Sequence, residues 1–394
     1  MEQLLHTPEG VRDIYHEECA KKLALQNRLH KTLHLYGYHD IQTPMYEYFD
    51  VFRKEIGTIP SRELYKFFDR DGNTLVLRPD ITPSIARCAA KYFGEEELPI
   101  RLCYMGNTFI NNSSYQGRLK ECTQLGAELL GDPSVDADAE MISMVISCLK
   151  AAGLKEFQLS IGHADFFRGL MEAAGLLEEQ EEELRELISN KNFFGVEEFV
   201  ETLNLEENLK NLFGMLGNLY TGSDELSAAR ECAASYPRIL KAIGDLEELH
   251  KILEVYEVSR YVSFELGTIS NYQYYTGIIF AGYTFGSGEA IVKGGRYDRL
   301  LTCFGKDSAS IGFAFVVDQL MAALQRQKID VPVERSVELM VYKPAKRQTA
   351  ITAAAPARAA GRCVELMLWD ETKQKEDYED YAARSRMINV QFFA

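Results

Sequence analysis

Two histidines one helical turn apart, His30 and His34, are the first residues whose spacing could do chemistry, since an i, i+4 pair on one helix face can hold a transition metal. A tetrahedral site needs further ligands. None is near in sequence, so a solvated helix face without metal is the expectation. The eight cysteines (Cys19, Cys88, Cys103, Cys122, Cys148, Cys232, Cys303 and Cys363) include no C-x-x-C pair. They read as small buried hydrophobes in a reducing compartment, not as a disulfide framework or a zinc ribbon. The chain carries no phosphate-binding G-x-x-x-x-G-K-[ST] loop, no G-x-G-x-x-G fingerprint, no H-E-x-x-H pair and no G-x-S-x-G elbow. The glycine-rich stretch 282-GYTFGSG-288 reads as a hairpin rather than a phosphate cradle. No cofactor is expected.

The elements that must position any site follow from periodicity. From about Glu17 to Tyr36, Leu25, Leu29, Thr32 and Tyr36 fall at three- and four-residue steps, and Gly37 supplies a stop, which predicts a first helix. Runs at 38–44, 64–70, 74–79 and 99–109 read as strands with tight connections, so an antiparallel sheet is expected. A helix at about 136–152 closes on Gly153 and precedes a strand at 156–163. Strands are expected again at 261–269, 278–285 and 289–295, then a helix from about Phe313 to Gln325.

Between them the texture changes. Residues 171–254 hold 19 acids and 7 bases in leucine-rich helical periodicity, which reads as an acidic helical insertion. The domain reading is therefore a core over 1–325 interrupted by that insertion, a linker at 326–335 and a small α/β tail at 336–394. The net charge of −16 and pI near 5.1 leave no diffuse basic footprint for nucleic acid. Apolar runs such as 310-SIGFAFVVDQLMAAL-324 meet a charge before the roughly 20 residues of a membrane span. The N-terminal MEQLLHTPEGVRD does not read as a secretory signal, and a cytoplasmic location is expected.

Four segments, in order, resemble the catalytic core of histidyl-tRNA synthetase, a class II synthetase. The stretch 36-YGYHDIQTPMYEYFDVF-52 is similar to the dimer-forming first motif, with Pro44 at its proline. The stretches 78-RPDITPSIAR-87 and 124-QLGAELLG-131 resemble the walls of the histidine pocket. The pair 274-YYTG-277 and 294-GGRYDRL-300 resembles the histidine signature, and 311-IGFAFVVDQL-320 the third motif. The resemblance implies an α+β fold: an antiparallel sheet flanked by helices, with a helical insertion and a small α/β C-terminal domain. It also implies that Asp80, Thr82 and Gln124 meet the α-ammonium of histidine, that Glu128 and Tyr275 hold its imidazole, and that Tyr274 belongs to the same pocket.

The departures from that family concern phosphate. Where the family's second motif has Phe-Arg-x-Glu, this chain has 109-FINN-112, placing Ile110 at the arginine and Asn112 at the acid. In 316-VVDQ-319, Gln319 stands for the arginine of the third motif, and in 270-SNYQYY-275, Ser270 replaces the signature arginine. An arginine–phosphate hydrogen bond contributes ~1.5–3 kcal/mol, and one lost transition-state donor costs on the order of 100- to 1,000-fold in rate. No catalytic residue is expected to survive. Arg118 and Lys120 remain as candidates to meet an anion.

A synthetase-like core without its ATP grip, followed by a shortened tail, resembles the regulatory subunits of ATP phosphoribosyltransferase. That resemblance implies a short-form catalytic partner, a dimer through the synthetase-like core, a hetero-octamer, and feedback by histidine on the first step of histidine biosynthesis. The cluster of Glu371, Glu376, Asp377, Glu379 and Asp380 in the tail offers no basic face for tRNA, and no tRNA or membrane partner is expected. The alternatives are a divergent histidyl-tRNA synthetase or a stand-alone amino-acid sensor.

Overall fold

The computed structural model describes residues 5–53, 59–93, 99–112, 119–269, 274–333 and 337–394. They fall into two units, Met1–Val331 and Pro332–Ala394. The first unit opens with α1 (His16–Leu35), whose Leu25, Leu29 and Leu33 form a fully buried stripe. Gly37, at φ 81°, turns the chain into β1 (His39–Asp40). A small antiparallel sheet follows, formed by β2 (Tyr46–Tyr48), β3 (Lys66–Phe68) and β4 (Thr74–Leu77), with β4 in the middle. Then come α2 (Thr82–Tyr92), the long hairpin of β5 (Ile100–Phe109) and β6 (Glu121–Leu130), α3 (Val135–Ala152) and β7 (Phe157–His163). Ser134 caps α3 by accepting the Ala137 N–H, and Gly153 closes it in the left-handed region.

The helical stretch comprises α4 (Ala164–Ala174), α5 (Glu178–Ser189), α6 (Phe193–Glu201), α7 (Glu207–Gly214), β8 (Leu219–Tyr220), α8 (Ser227–Cys232) and α9 (Pro237–Val255). Its Leu184, Val196, Leu212 and Leu246 belong to the same buried cluster as the sheet's Leu125 and Phe315. The chain then returns through β9 (Val262–Glu265), β10 (Ile278–Thr284), β11 (Val292–Arg296), β12 (Ser310–Val316) and α10 (Val317–Arg326). Nine strands make one sheet in the order β1-β5-β6-β12-β11-β10-β7-β9-β8, antiparallel except at β1/β5 and β7/β9. Large antiparallel sheet and flanking helices together give the expected α+β class.

One expectation fails. The segment from Phe313 to Val316 is strand, not helix, and α10 begins only at Val317. β12 lies inside the sheet between β6 and β11. A strand covered on both faces reads as a continuous apolar run, and periodicity cannot separate such a run from a buried helix. A second expectation also changes, because parallel pairing of β1 with β5 brings Asp40 and Cys103 beside His30 and His34.

The second unit is β13 (Val337–Tyr342), α11 (Arg347–Ala359), β14 (Cys363–Leu368), α12 (Lys375–Arg384) and β15 (Asn389–Phe393). Its parallel sheet has the order β14-β13-β15, with Leu339, Val341 and Tyr378 buried at its core. Among the described residues, no helix is long and apolar enough to cross a membrane.

Candidate functional site

Side chains alternate across a strand, and that rule sorts β6 and β12 into two faces. Leu125, Ala127 and Leu129 of β6, with Ile311, Phe313 and Phe315 of β12, join the large apolar cluster with α1 and α3. The intervening Gln124, Glu128, Gly312, Ala314 and Val316 line a cavity of about 170 Å³. This is smaller than the roughly 300–1,000 Å³ of pockets for drug-sized ligands, so its occupant must be small. Asp80 lies just before the N-cap Ile81 of α2, and Thr82 begins the helix; both line the same space. Tyr274 and Tyr275, from the segment entering β10, complete the wall.

All six residues expected at a histidine-like pocket therefore line one cavity, although they come from three separate stretches of chain. Tyr297, Lys293, Glu289 and Gly312 line it as well, and sequence reasoning missed their part. Tyr297 and Gly312 lie inside motif-like segments, but only the sheet register reveals which way they face. Gly312 opposes Glu128 across β12 and β6, and any Cβ there would collide with the Glu128 carboxylate. The glycine keeps the acid's place open.

The carboxyl groups are strongly perturbed by their surroundings. Glu128 accepts the Thr82 hydroxyl at 2.7 Å and the Tyr297 hydroxyl. Burial raises its pKa to about 8, against the pull of those two donors. Burial likewise raises Asp80 to about 6, opposed by the Ile81 N–H and the Gln124 amide. Desolvation pushes the Tyr104 and Tyr297 phenols well above their ordinary range. The buried Oε1 atoms of Gln124 and Gln319 have no hydrogen-bond partner among the described residues. Leaving such an atom unpaired costs ~1–3 kcal/mol, a cost that a ligand carrying N–H donors would remove. Two buried acids, a free amide oxygen and aromatic walls suit an ammonium and a protonated or N–H-bearing ring.

The other end is chemically different. Ile110 and Val316 put hydrocarbon on the wall, and Gln319 donates its amide to Glu289 at 2.9 Å. Three carboxyl groups line the cavity, those of Asp80, Glu128 and Glu289, against one described cation, Lys293. A triphosphate would meet net negative charge. Asn112 does not line the cavity, and its buried Oδ1 has no partner among the described residues. Arg118 and Ser270 lie outside the described residues. Lys120 donates its backbone N–H to Gly10 at 2.7 Å and lies outside the cavity lining.

Arg296 anchors the floor behind the cavity. Buried beside Asp138, it donates from Nε at 2.9 Å and from Nη2 at 2.5 Å, and its carbonyl accepts the Thr276 N–H at 2.7 Å. That carbonyl bond ties the Tyr274–Tyr275 segment to β11. Asp318, in the first turn of α10, joins α1 to β6, accepting from Lys22 at 2.6 Å and from the Thr123 N–H at 2.7 Å.

The antiparallel sheet, the hairpin of β5 and β6, and a pocket on the face opposite α1 and α3 define a class II synthetase-like protein. The histidyl-tRNA synthetase family model matches residues 10–320. Among similar proteins, the ATP phosphoribosyltransferase regulatory subunit of Acetivibrio thermocellus is 41% identical, over 92% of this chain and 86% of its own. That of Ruminiclostridium cellulolyticum is 38% identical, over 98% and 91%. A crystal structure from Bacillus halodurans C, described as an ATP phosphoribosyltransferase regulatory subunit/histidyl-tRNA synthetase, superposes with TM-score 0.86 at 31% identity, covering 99% of this chain and 98% of the other. Histidyl-tRNA synthetase from Nostoc sp. PCC 7120 shares the fold, with TM-score 0.80 at 19% identity over 97% and 90%. The chain belongs to the family of ATP phosphoribosyltransferase regulatory subunits.

Proposed function

We propose that this chain is the non-catalytic regulatory subunit of an ATP phosphoribosyltransferase and that it senses histidine in the cavity beside Glu128. The observation that carries the reading is the asymmetry of that cavity. Its amino-acid end keeps Asp80, Thr82, Gln124 and Glu128, while its phosphate end presents Ile110 and Gln319. An amino acid fits such a site, and adenylation does not, because no arginine remains at those two positions to neutralise charge developing on a phosphate.

The chain assembles with a short catalytic subunit that transfers a phosphoribosyl group to ATP, the first step of histidine biosynthesis. Exposed Tyr46, Tyr48 and Phe68 on the small sheet support self-association through the segment that resembles the dimer-forming motif. Four such chains with four catalytic chains make the proposed hetero-octamer, in the cytoplasm and without tRNA. Histidine in the cavity shifts the catalytic partner through a coupling free energy, typically ~1–3 kcal/mol for such systems.

The test is reconstitution. The purified catalytic subunit is assayed for phosphoribosyl transfer with and without this chain, across a histidine titration. Activity that rises on mixing and falls with histidine supports the reading. No association, or histidine-dependent ATP–pyrophosphate exchange by this chain alone, overturns it.

A further inference from the structure

Away from the cavity, four side chains with metal-ligand chemistry converge at the edge of the large sheet. His30 and His34 project from the last turns of α1, Asp40 lies on β1, and Cys103 lies directly opposite Asp40 on β5. Their ligand atoms, two imidazole nitrogens, a carboxylate oxygen and a sulfur, all lie within 4.8 Å of one another. The Asp40 carboxylate bridges the set, touching His30 Nε2 through Oδ1, His34 Nε2 through Oδ2 at 3.1 Å, and Cys103 Sγ at 3.5 Å. The two imidazole rings are 4.3 Å apart, centre to centre.

We propose that these four side chains form a zinc site that clips the end of α1 to the edge strands β1 and β5. Bonds of ~2.0–2.3 Å from a tetrahedral zinc ion set ligand atoms ~3.3–3.8 Å apart, so modest side-chain rotation closes the observed cluster around an ion. Two imidazoles, a carboxylate and a thiolate match zinc. Magnesium and calcium require oxygen ligands throughout.

The placement suits a closed structural site with an entry path. Cys103 is fully buried, while His34 and Asp40 face solvent. Coordination forms a Zn–S bond and releases the thiol proton to solvent. Among the described residues this is the one group of three or more such side chains close enough to share an ion. Cys148, equally buried, belongs to no such group. The backbone already fixes the frame: the Ile41 N–H donates to the Cys103 carbonyl at 2.9 Å, and Gly37 sets the turn between helix and strand.

The experiment uses the full chain, stripped with chelator and titrated with Co²⁺ as a spectroscopic probe, then with Zn²⁺ in competition. The expected result is one equivalent bound, with a thiolate-to-cobalt charge-transfer band that zinc abolishes. Cys103→Ser removes the band, and Cys148→Ser leaves it unchanged. Because a buried serine could impair folding, His34→Gln on the exposed helix end provides the second arm and weakens zinc binding at least about tenfold. Absence of the band in the wild-type chain, its persistence in Cys103→Ser, or unaltered zinc affinity in His34→Gln overturns the site and leaves Asp40 as an ordinary ion-pair partner of two solvated histidines.

Discussion

The two ends of the cavity have gone different ways on one scaffold. At one end, β6 and the start of α2 hold Asp80, Thr82, Gln124 and Glu128, and the glycine at position 312 leaves room for the acid. At the other, β12 runs into α10 through Val316 and Gln319, and Ile110 follows the last residue of β5. Among the described residues, Ile110 and Gln319 stand at this end and Lys293 is the one cation in the lining. Fold and chemistry are therefore separable within a single pocket, and the remaining polar groups identify what the site is able to hold.

The largest expected effect comes from filling the space that the acid occupies. Gly312→Ala should abolish histidine binding by calorimetry, a loss above ~100-fold, and lower stability by ~1–3 kcal/mol through overpacking. Removing acceptors is the next step down. Glu128→Ala and Gln124→Ala should each weaken histidine binding ~10- to 100-fold, the worth of one hydrogen bond to a charged group. Unchanged affinity in both would reduce these residues to architecture.

Glu128 also makes a pH prediction. Its pKa, raised from 4.5 to about 8 by burial, means the native state holds a proton that the unfolded chain releases. The stabilisation from that proton is fully present below pH 4.5 and is lost as pH rises through about 8. Urea unfolding of the wild-type chain should accordingly weaken from pH 5 to 8, and Glu128→Gln should remove at least ~1 kcal/mol of that decline. The smallest effect is expected at the dismantled end. Ile110→Arg should alter histidine affinity less than ~3-fold, since an exchange at this half-buried position touches no acceptor of the amino acid.

How legible these features were depended on how local they are. The helix α1 and the strand β7, whose sequence alternates apolar and polar residues, announce themselves through spacing within a few residues. So does the βαβαβ order of the tail. β12 did not, because Ile311, Phe313 and Phe315 are buried on one face while Gly312 and Ala314 offer no polar contrast on the other. At the site, Asp80, Thr82, Gln124 and Glu128 were readable as motif residues, but their mutual contacts were not. Glu128 meets Tyr297 across 169 residues of sequence, and the Gln319–Glu289 bond depends on how β11 and β12 pair. Likewise, nothing local joins Asp40 to Cys103, 63 residues away; the parallel register of an edge strand does.

The most direct test of the divided pocket is a calorimetric titration of the full chain with histidine, with and without Mg-ATP. The account predicts one equivalent of histidine bound, with an affinity that ATP leaves unchanged and that Glu128→Ala lowers. Failure of the wild-type chain to bind histidine, or an affinity that ATP strengthens, would contradict it.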